Sequence, residues 1–152
     1  MGEIIVELKK INANKKQFLP LLLLGDEQES MIERYLERGS LYALYDGSVL
    51  CGVIVVTEEQ DKLFEIKNMA VEPSLQRRGY GRMMIEQICL RYRQSDAVLQ
   101  VGTGDVPSTL GFYQACGFQI SHRVPDFFLQ YDHPIFEDGV QLCDMVYLQR
   151  EL

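Results

Sequence analysis

Glu65-Ile66-Lys67-Asn68-Met69-Ala70-Val71-Glu72-Pro73-Ser74-Leu75-Gln76-Arg77-Arg78-Gly79-Tyr80-Gly81-Arg82 is the stretch whose reading decides the fold. An apolar run ends at Val71. Pro73 and Ser74 break it, and a helix begins near Gly79. The first amides of a helix have no intrahelical partner and point outward. The helix dipole adds partial positive charge at the same place. Glycine at 79 and 81 leaves no side chain to block an anion. Together these features describe a pyrophosphate site built on the backbone from Gln76 to Arg82. Arg77, Arg78 and Arg82 can add charge-assisted contacts. A P-loop would need a lysine after its second glycine at longer spacing. A dinucleotide fingerprint would need a third glycine at position 84, where Met84 stands. Taken alone, the loop also fits a helix entrance that holds no ligand.

The pattern around this stretch is that of an α/β domain. Ile4-Ile5-Val6 with Leu8 predicts a first strand. Residues 13–24 predict a helix that Pro20 splits or kinks. Residues 27–38 place Met31, Ile32, Tyr35 and Leu36 on one stripe at helical spacing, and Gly39 supplies the stop. Strands are expected at 41–45, 49–57 and 63–71, with a hairpin turn at Asp46-Gly47 and a second turn over 58–62. A helix is expected over 81–93, a buried strand at 97–101, and a loop at Gly102-Thr103-Gly104-Asp105. A short helix at 108–115, a strand from Phe118, a loop-rich segment over 122–139 and a closing strand at 140–148 complete the order. Helices alternate with strands around a mixed sheet.

The chain has 152 residues, which suits one domain, 1–152, with a core of its own. Its 47% hydrophobic and 24% charged residues are an ordinary globular balance rather than that of a disordered or membrane chain. The longest leucine run, Leu21 to Leu24, is far too short to span a bilayer, so no membrane association is expected. The amino-terminal residues lack a basic segment followed by an apolar one, so no secretory signal is expected. Cys51, Cys89, Cys116 and Cys143 are far apart and read as free thiols in a reducing cytoplasm. The net charge of −7 argues against a nucleic-acid partner. It also makes the cluster Arg77, Arg78, Arg82 a local exception that suits an anionic ligand. Acidity elsewhere suits a cationic substrate, or serves solubility alone.

Gln76-x-x-Gly79-x-Gly81, directly after Met69-Ala70-Val71-x-Pro73, resembles motif A of the GNAT family of N-acetyltransferases. Gly111-Phe112-Tyr113-Gln114-Ala115-Cys116-Gly117-Phe118 resembles the FY-x-x-x-GF signature of the same family. The resemblance spans about the whole chain. It implies a mixed, mainly antiparallel central sheet flanked by helices and splayed between strands four and five. It implies acetyl-CoA as co-substrate and direct attack by an amine in a ternary complex. Gln76, Arg77, Arg78, Gly79, Tyr80, Gly81 and Arg82 would then hold the cofactor. The backbone of Met69, Ala70 and Val71 would grip the pantetheine arm, with the Val71 amide polarising the thioester carbonyl.

Two catalytic residues follow from the same resemblance. Tyr113 matches the general acid that protonates the departing thiolate; core packing is its other reading. Glu65 matches the glutamate base of the histone-modifying branch. Period-2 counting puts Glu65 on the same face as Val71. A solvated strand-edge carboxylate is the other reading of Glu65, and Asp105 or an ordered water are other candidates for the base. Phe112 reads as core. His122 and His133 sit in the tail, and Asp132, His133 and Glu137 match no ligand spacing, so no metal is expected. Phe127, Phe128 and Tyr131 either wall the acceptor pocket, belong to the core, or form a dimer contact. The tail from Pro125 to Gly139 is similar to a bacterial subgroup that brings no acceptor with it. The expected acceptor is a small-molecule primary amine. A protein lysine or amino terminus, and a non-catalytic acyl-CoA sensor, are the alternatives.

Overall fold

In the computed structural model the described residues are 6–152. Ile4 and Ile5 of the expected first strand lie outside them. Strand β1 is Val6–Ile11. A 3-10 turn at Lys15–Phe18 leads into helix α1, Leu19–Gly25. Pro20 sits in the first turn of α1, where its missing N–H costs nothing, so the break falls just ahead of it. The expected helix over 27–38 shrinks to one turn, α2, Glu29–Ile32. Past Ile32 the bonds alternate between three- and four-residue spacing, including Tyr35 N to Ile32 O and Leu36 N to Ile32 O. The stripe is nevertheless correct: Met31, Ile32, Tyr35 and Leu36 are all buried. Lys15 Nζ donates to the carbonyls of Leu36 at 2.9 Å and Gly39 at 2.7 Å, which closes the segment.

The meander follows as β2, Ser40–Asp46, β3, Val49–Gln60, and β4, Leu63–Val71. The turn expected over 58–62 contracts, because β3 continues to Gln60. Helix α3 is Tyr80–Arg91, β5 is Val98–Gly104 and α4 is Pro107–Ala115. Gly102 to Gly104, expected as loop, therefore belong to β5, which pairs through Gly104 with Met145. Strand β6 is Gln119–Val124, and a small hairpin joins β7, Phe136–Glu137, to β8, Val140–Gln141. The closing strand is β9, Met145–Glu151, separate from that hairpin.

The main sheet has the order β1-β2-β3-β4-β5-β9-β6. Only β4 and β5 run parallel; the other neighbours are antiparallel. One face is covered by Met84, Ile85, Ile88 and Cys89 of α3 and by Tyr113 of α4. The other is covered by Leu21 and Leu22 of α1 and by Ile32, Tyr35 and Leu36. Leu22, Ile32 and Ile88 are fully buried, and each such side chain stabilises the fold by roughly 1.5–3 kcal/mol.

Two irregularities position the site. The β4/β5 ladder covers only Leu63–Ile66 against Val98–Val101, while β4 runs on to Val71. The sheet is thus splayed between its fourth and fifth strands, and among the described residues no strand pairs with the β4 edge from Lys67 onward on that side. The second irregularity is a register shift in which Val55 faces Asn68 but Val56 faces Ile66, leaving Lys67 as the extra residue of a bulge.

Candidate functional site

The bulge at Lys67 corrects one expectation. Counting by twos from Val71 puts Glu65 on the same face, but the extra residue reverses the alternation. Phe64, Ile66, Met69 and Val71 pack on the α3/α4 side. Asn68 and Ala70 face α1, and so does Glu65, which lies opposite Thr57. Glu65 therefore faces the opposite side from Val71. That side holds a cavity of its own.

On the α3/α4 side, a groove of about 490 Å³ is lined by Met69, Ala70, Val71, Gln76, Gly79 and Tyr113 among others. Gly79 has φ 87, the left-handed region, and caps α3 without any side-chain bond. The first bond of the helix runs from the Met83 amide to the Gly79 carbonyl at 3.0 Å. The amides from Gly79 to Arg82 precede it and have no helical carbonyl to meet. No acidic residue sits in that first turn. A Cβ on Gly79 would meet no atom within 4 Å, so the space in front of the helix is open. A Cβ on Gly81 would stand 3.3 Å from Phe112 Cζ, so the second glycine lets α3 and α4 approach. These features fit a diphosphate.

The arginines divide. Arg77, with φ 65, lines the groove, as Gly81 and Tyr80 do; Arg78 and Arg82 do not. Among the described residues, Arg77, Arg78 and Arg82 form no ion pair. Tyr80 Oη donates to Asp46 Oδ2 at 2.8 Å, so its ring is tied to the end of β2. Gln76 Nε2 donates to the Val71 carbonyl at 3.3 Å, fastening the loop to the end of β4.

Tyr113 is 7% exposed and packs edge-on against Phe112 and Phe118, at ring distances of 5.1 and 5.6 Å. Its hydroxyl makes no hydrogen bond among the described residues, yet it borders the groove. Burial pushes its pKa up, with smaller contributions from Cys116 and Glu137, so the phenol keeps its proton at neutral pH. A buried phenol with an unspent donor can serve as an acid toward a sulfur formed beside it. Phe112 joins the core periphery and also lines the groove.

On the other side of the sheet lies a cavity of about 430 Å³. Glu65 lines it and is 4% exposed. It is not a solvated edge carboxylate. Gln100 Nε2 donates to its Oε1 at 2.7 Å, and Lys67 Nζ and Tyr147 Oη reach its Oε2 at 2.7 and 3.2 Å. Leu24 borders both the cavity and the groove, so the two spaces meet at the end of α1 beside the splay.

The tail forms one wall of this cavity. Phe127, Phe128 and Tyr131 line it; Phe128 and Tyr131 stack at 5.9 Å, and Phe127 stands edge-on to Phe128 at 5.2 Å. Four contacts hold this strap over the segment after α1. Arg34 donates to Gln130 Oε1 at 2.9 Å, Tyr131 to Asp26 Oδ1 at 2.7 Å, and the Asp132 amide to Gln28 Oε1 at 2.9 Å; His133 Nε2 meets Glu27 at 3.2 Å. The carboxylates of Asp132 and Glu27 raise the pKa of His133.

Asp26 is the residue that sequence reasoning missed. It lines the cavity and accepts from Tyr35 Oη at 3.0 Å and from Tyr131 Oη at 2.7 Å. Burial raises its pKa, against those two hydrogen bonds. The signal available was only its place at the end of an apolar helix, which many aspartates share. Asp105 lies elsewhere, in an exposed ion pair with Arg123 at 2.8 Å. His122 stacks on Tyr147 at 4.7 Å. Cys51, Cys89 and Cys116 are buried and Cys143 is exposed, all as free thiols. Among the described residues, no group of three or more His, Cys, Asp or Glu could hold a metal ion, and no helix is long and apolar enough to cross a membrane.

A splayed mixed sheet with an anion-ready helix start at the splay defines a class of acyl-CoA-dependent transferases. A family model described as an acetyltransferase (GNAT) domain matches residues 37–120. The uncharacterised N-acetyltransferase YvbK of Bacillus subtilis (strain 168) is 39% identical over 135 residues, covering 87% of each chain. A Bacillus subtilis acetyltransferase solved in complex with CoA superposes with a TM-score of 0.88 at 35% identity, covering 97% of this chain and 99% of that one. A GNAT family acetyltransferase from Elizabethkingia anophelis with acetyl-CoA bound gives 0.90 at 31% identity, covering 97% and 98%. The chain belongs to the GNAT family of N-acetyltransferases.

Proposed function

We propose that residues 1–152 form one N-acetyltransferase domain that moves the acetyl group of acetyl-CoA to the primary amine of a small molecule. The observation that carries the acceptor class is the cavity of about 430 Å³ walled on one side by the tail, which has the capacity of a small-molecule site. A protein lysine would need room for its flanking chain on the side where Phe127, Phe128 and Tyr131 wall the cavity.

Acetyl-CoA supplies an activated acyl group. The amides from Gly79 to Arg82, with Gln76 and Arg77 beside them, receive its diphosphate. The free β4 edge at Met69, Ala70 and Val71 receives the pantetheine arm in the manner of an added strand. The Val71 amide is assigned the thioester carbonyl. Glu65, from the cavity side, takes a proton from the acceptor's ammonium group, directly or through water, since a free alkylamine is mostly protonated at pH 7. Tyr113, from the groove side, gives its proton to the departing sulfur. The two residues thus act from opposite faces of the splay.

The test is coenzyme A release with a panel of primary amines and, in parallel, a lysine peptide. Release that depends on a small amine supports the proposal. Release with the peptide alone would overturn the acceptor class. CoA binding without release under any condition would favour a sensor.

A further inference from the structure

We infer that Asp26 is the anchor for the acceptor's ammonium group, and that the acceptor is a primary amine with an uncharged, largely apolar body and no acid group. This rests on the small-amine reading above and narrows it.

The argument is a balance of charges around one cavity. Glu65 already has a cation, since Lys67 Nζ lies 2.7 Å from it. Glu27 meets His133 at 3.2 Å, and Glu137 accepts from Thr109 Oγ1 at 2.7 Å. Glu137 likewise has no cation within ion-pair distance among the described residues, but it stands on the tail hairpin. Asp26 stands at the end of α1, and its two side-chain partners are the phenols of Tyr35 and Tyr131. No cation lies within 4.0 Å of it among the described residues, and Arg34 acts on it only from longer range. A partly desolvated carboxylate held by neutral donors is an incomplete site that an incoming ammonium completes. Asp26 follows Leu24 by two residues, and Leu24 borders the cofactor groove. A cation held at Asp26 therefore stands on the side where the two spaces meet.

The rest of the wall specifies the body. Phe127, Phe128 and Tyr131 form a contiguous aromatic face. Ile135 and Leu142 of the buried tail cluster pack beside it. Such a face takes an apolar body, and its rings attract the ammonium end as well. Three cations also line the cavity, and two of them, Lys67 and Arg38, already have carboxylate partners. Lys67 pairs with Glu65 and Glu59, Arg38 with Glu59 at 2.6 Å, and Arg34 with Gln130 Oε1 at 2.9 Å. Of the three, only Arg34 lacks a carboxylate partner among the described residues, and one of its donors is already spent on Gln130.

The experiment is steady-state coenzyme A release with phenethylamine, phenylalanine, putrescine and hexylamine on wild type and Asp26→Asn. Phenethylamine is expected to be the better acceptor, with phenylalanine, the same body plus a carboxylate, about ten-fold lower in kcat/KM or worse. Asp26→Asn should raise KM for phenethylamine about ten-fold or more, the worth of a charge-assisted hydrogen bond, while KM for acetyl-CoA stays unchanged. A merely structural role would not separate the two KM values. As a measurement needing no variant, phenethylamine should bind the wild-type CoA complex at least about ten-fold more tightly by calorimetry than phenethyl alcohol, which has the same body without the charge. Phenylalanine as the better acceptor, equal binding of the alcohol, or an unchanged amine KM in the variant would each overturn the inference. Efficient turnover of putrescine alone would overturn the apolar body and leave the small-amine reading standing. No release with any amine would instead overturn that reading, and the calorimetric arm would still decide whether Asp26 holds a cation.

Discussion

Tyr131 donates its hydroxyl hydrogen to Oδ1 of Asp26 at 2.7 Å, joining positions 105 residues apart in the chain. One bond thus ties the tail to the end of α1 beside the cavity that both residues line. It also leaves a carboxylate partly buried, and burial raises the pKa of Asp26 above 3.8. A carboxyl that binds its proton more tightly when folded contributes most to stability below its unfolded pKa. That contribution is lost as pH rises through the raised value. Asp26→Asn removes the titration. The melting temperature of the variant relative to wild type should therefore climb between about pH 4, the ordinary aspartate value, and neutrality. A difference that stays constant over that range would contradict this linkage.

Arg38 and Glu59 provide the opposite sign. The Arg38 guanidinium, hydrogen-bonded at 2.6 Å, is the largest influence that lowers Glu59 to about 2. Its stabilisation is present above the unfolded glutamate value and is lost as pH falls toward 2. Arg38 is half exposed, so solvent screening keeps the worth small. Arg38→Met should cost about 1 kcal/mol at pH 7, and the cost should fade in acid, as measured by urea unfolding across pH.

Tyr113→Phe keeps the ring packing against Phe112 and Phe118 and removes only a hydroxyl that has no hydrogen-bond partner among the described residues. Turnover should fall by about ten- to a hundred-fold or more, in the range of a lost general acid. Affinity for CoA and the melting temperature should barely move. Unchanged turnover would remove Tyr113 from the chemistry and leave it as core.

Gly79 and Gly47 both take positive φ, 87 and 61, and at neither would an added Cβ meet an atom within 4 Å. Replacing either by alanine should cost about 1 kcal/mol of backbone strain. Gly47 lies in the β2/β3 hairpin and does not line the groove, whereas Gly79 does. Gly47→Ala should therefore keep full CoA affinity. Gly79→Asp should lose it, because the added carboxylate occupies and repels the diphosphate position. Calorimetric titration of CoA into the two variants separates strain from site.

Much of the fold was legible because it is written in local patterns. The apolar run ending at Val71, the break at Pro73 and the glycines at 79 and 81 place a strand, a turn and a helix start with little tertiary help. The stripe Met31, Ile32, Tyr35, Leu36 named the buried face, but not that the hydrogen bonds there would be irregular. The bulge at Lys67 was not legible. No glycine or proline marks it, and it arises from how β4 meets β3. Because alternation reverses at a bulge, counting by twos puts Glu65 on the wrong face. Asp26 was missed for a related reason. Its partners Tyr35 and Tyr131 lie 9 and 105 residues away, so its environment exists only once the tail folds back.

The acceptor class is the claim from which the rest of the mechanism follows. Coenzyme A release by wild-type protein, with acetyl-CoA and either a panel of small primary amines or a lysine peptide, tests it most directly. Saturable release with a small amine, abolished in Gly79→Asp, is the expected result. Release with the peptide and none with any small amine would contradict the account.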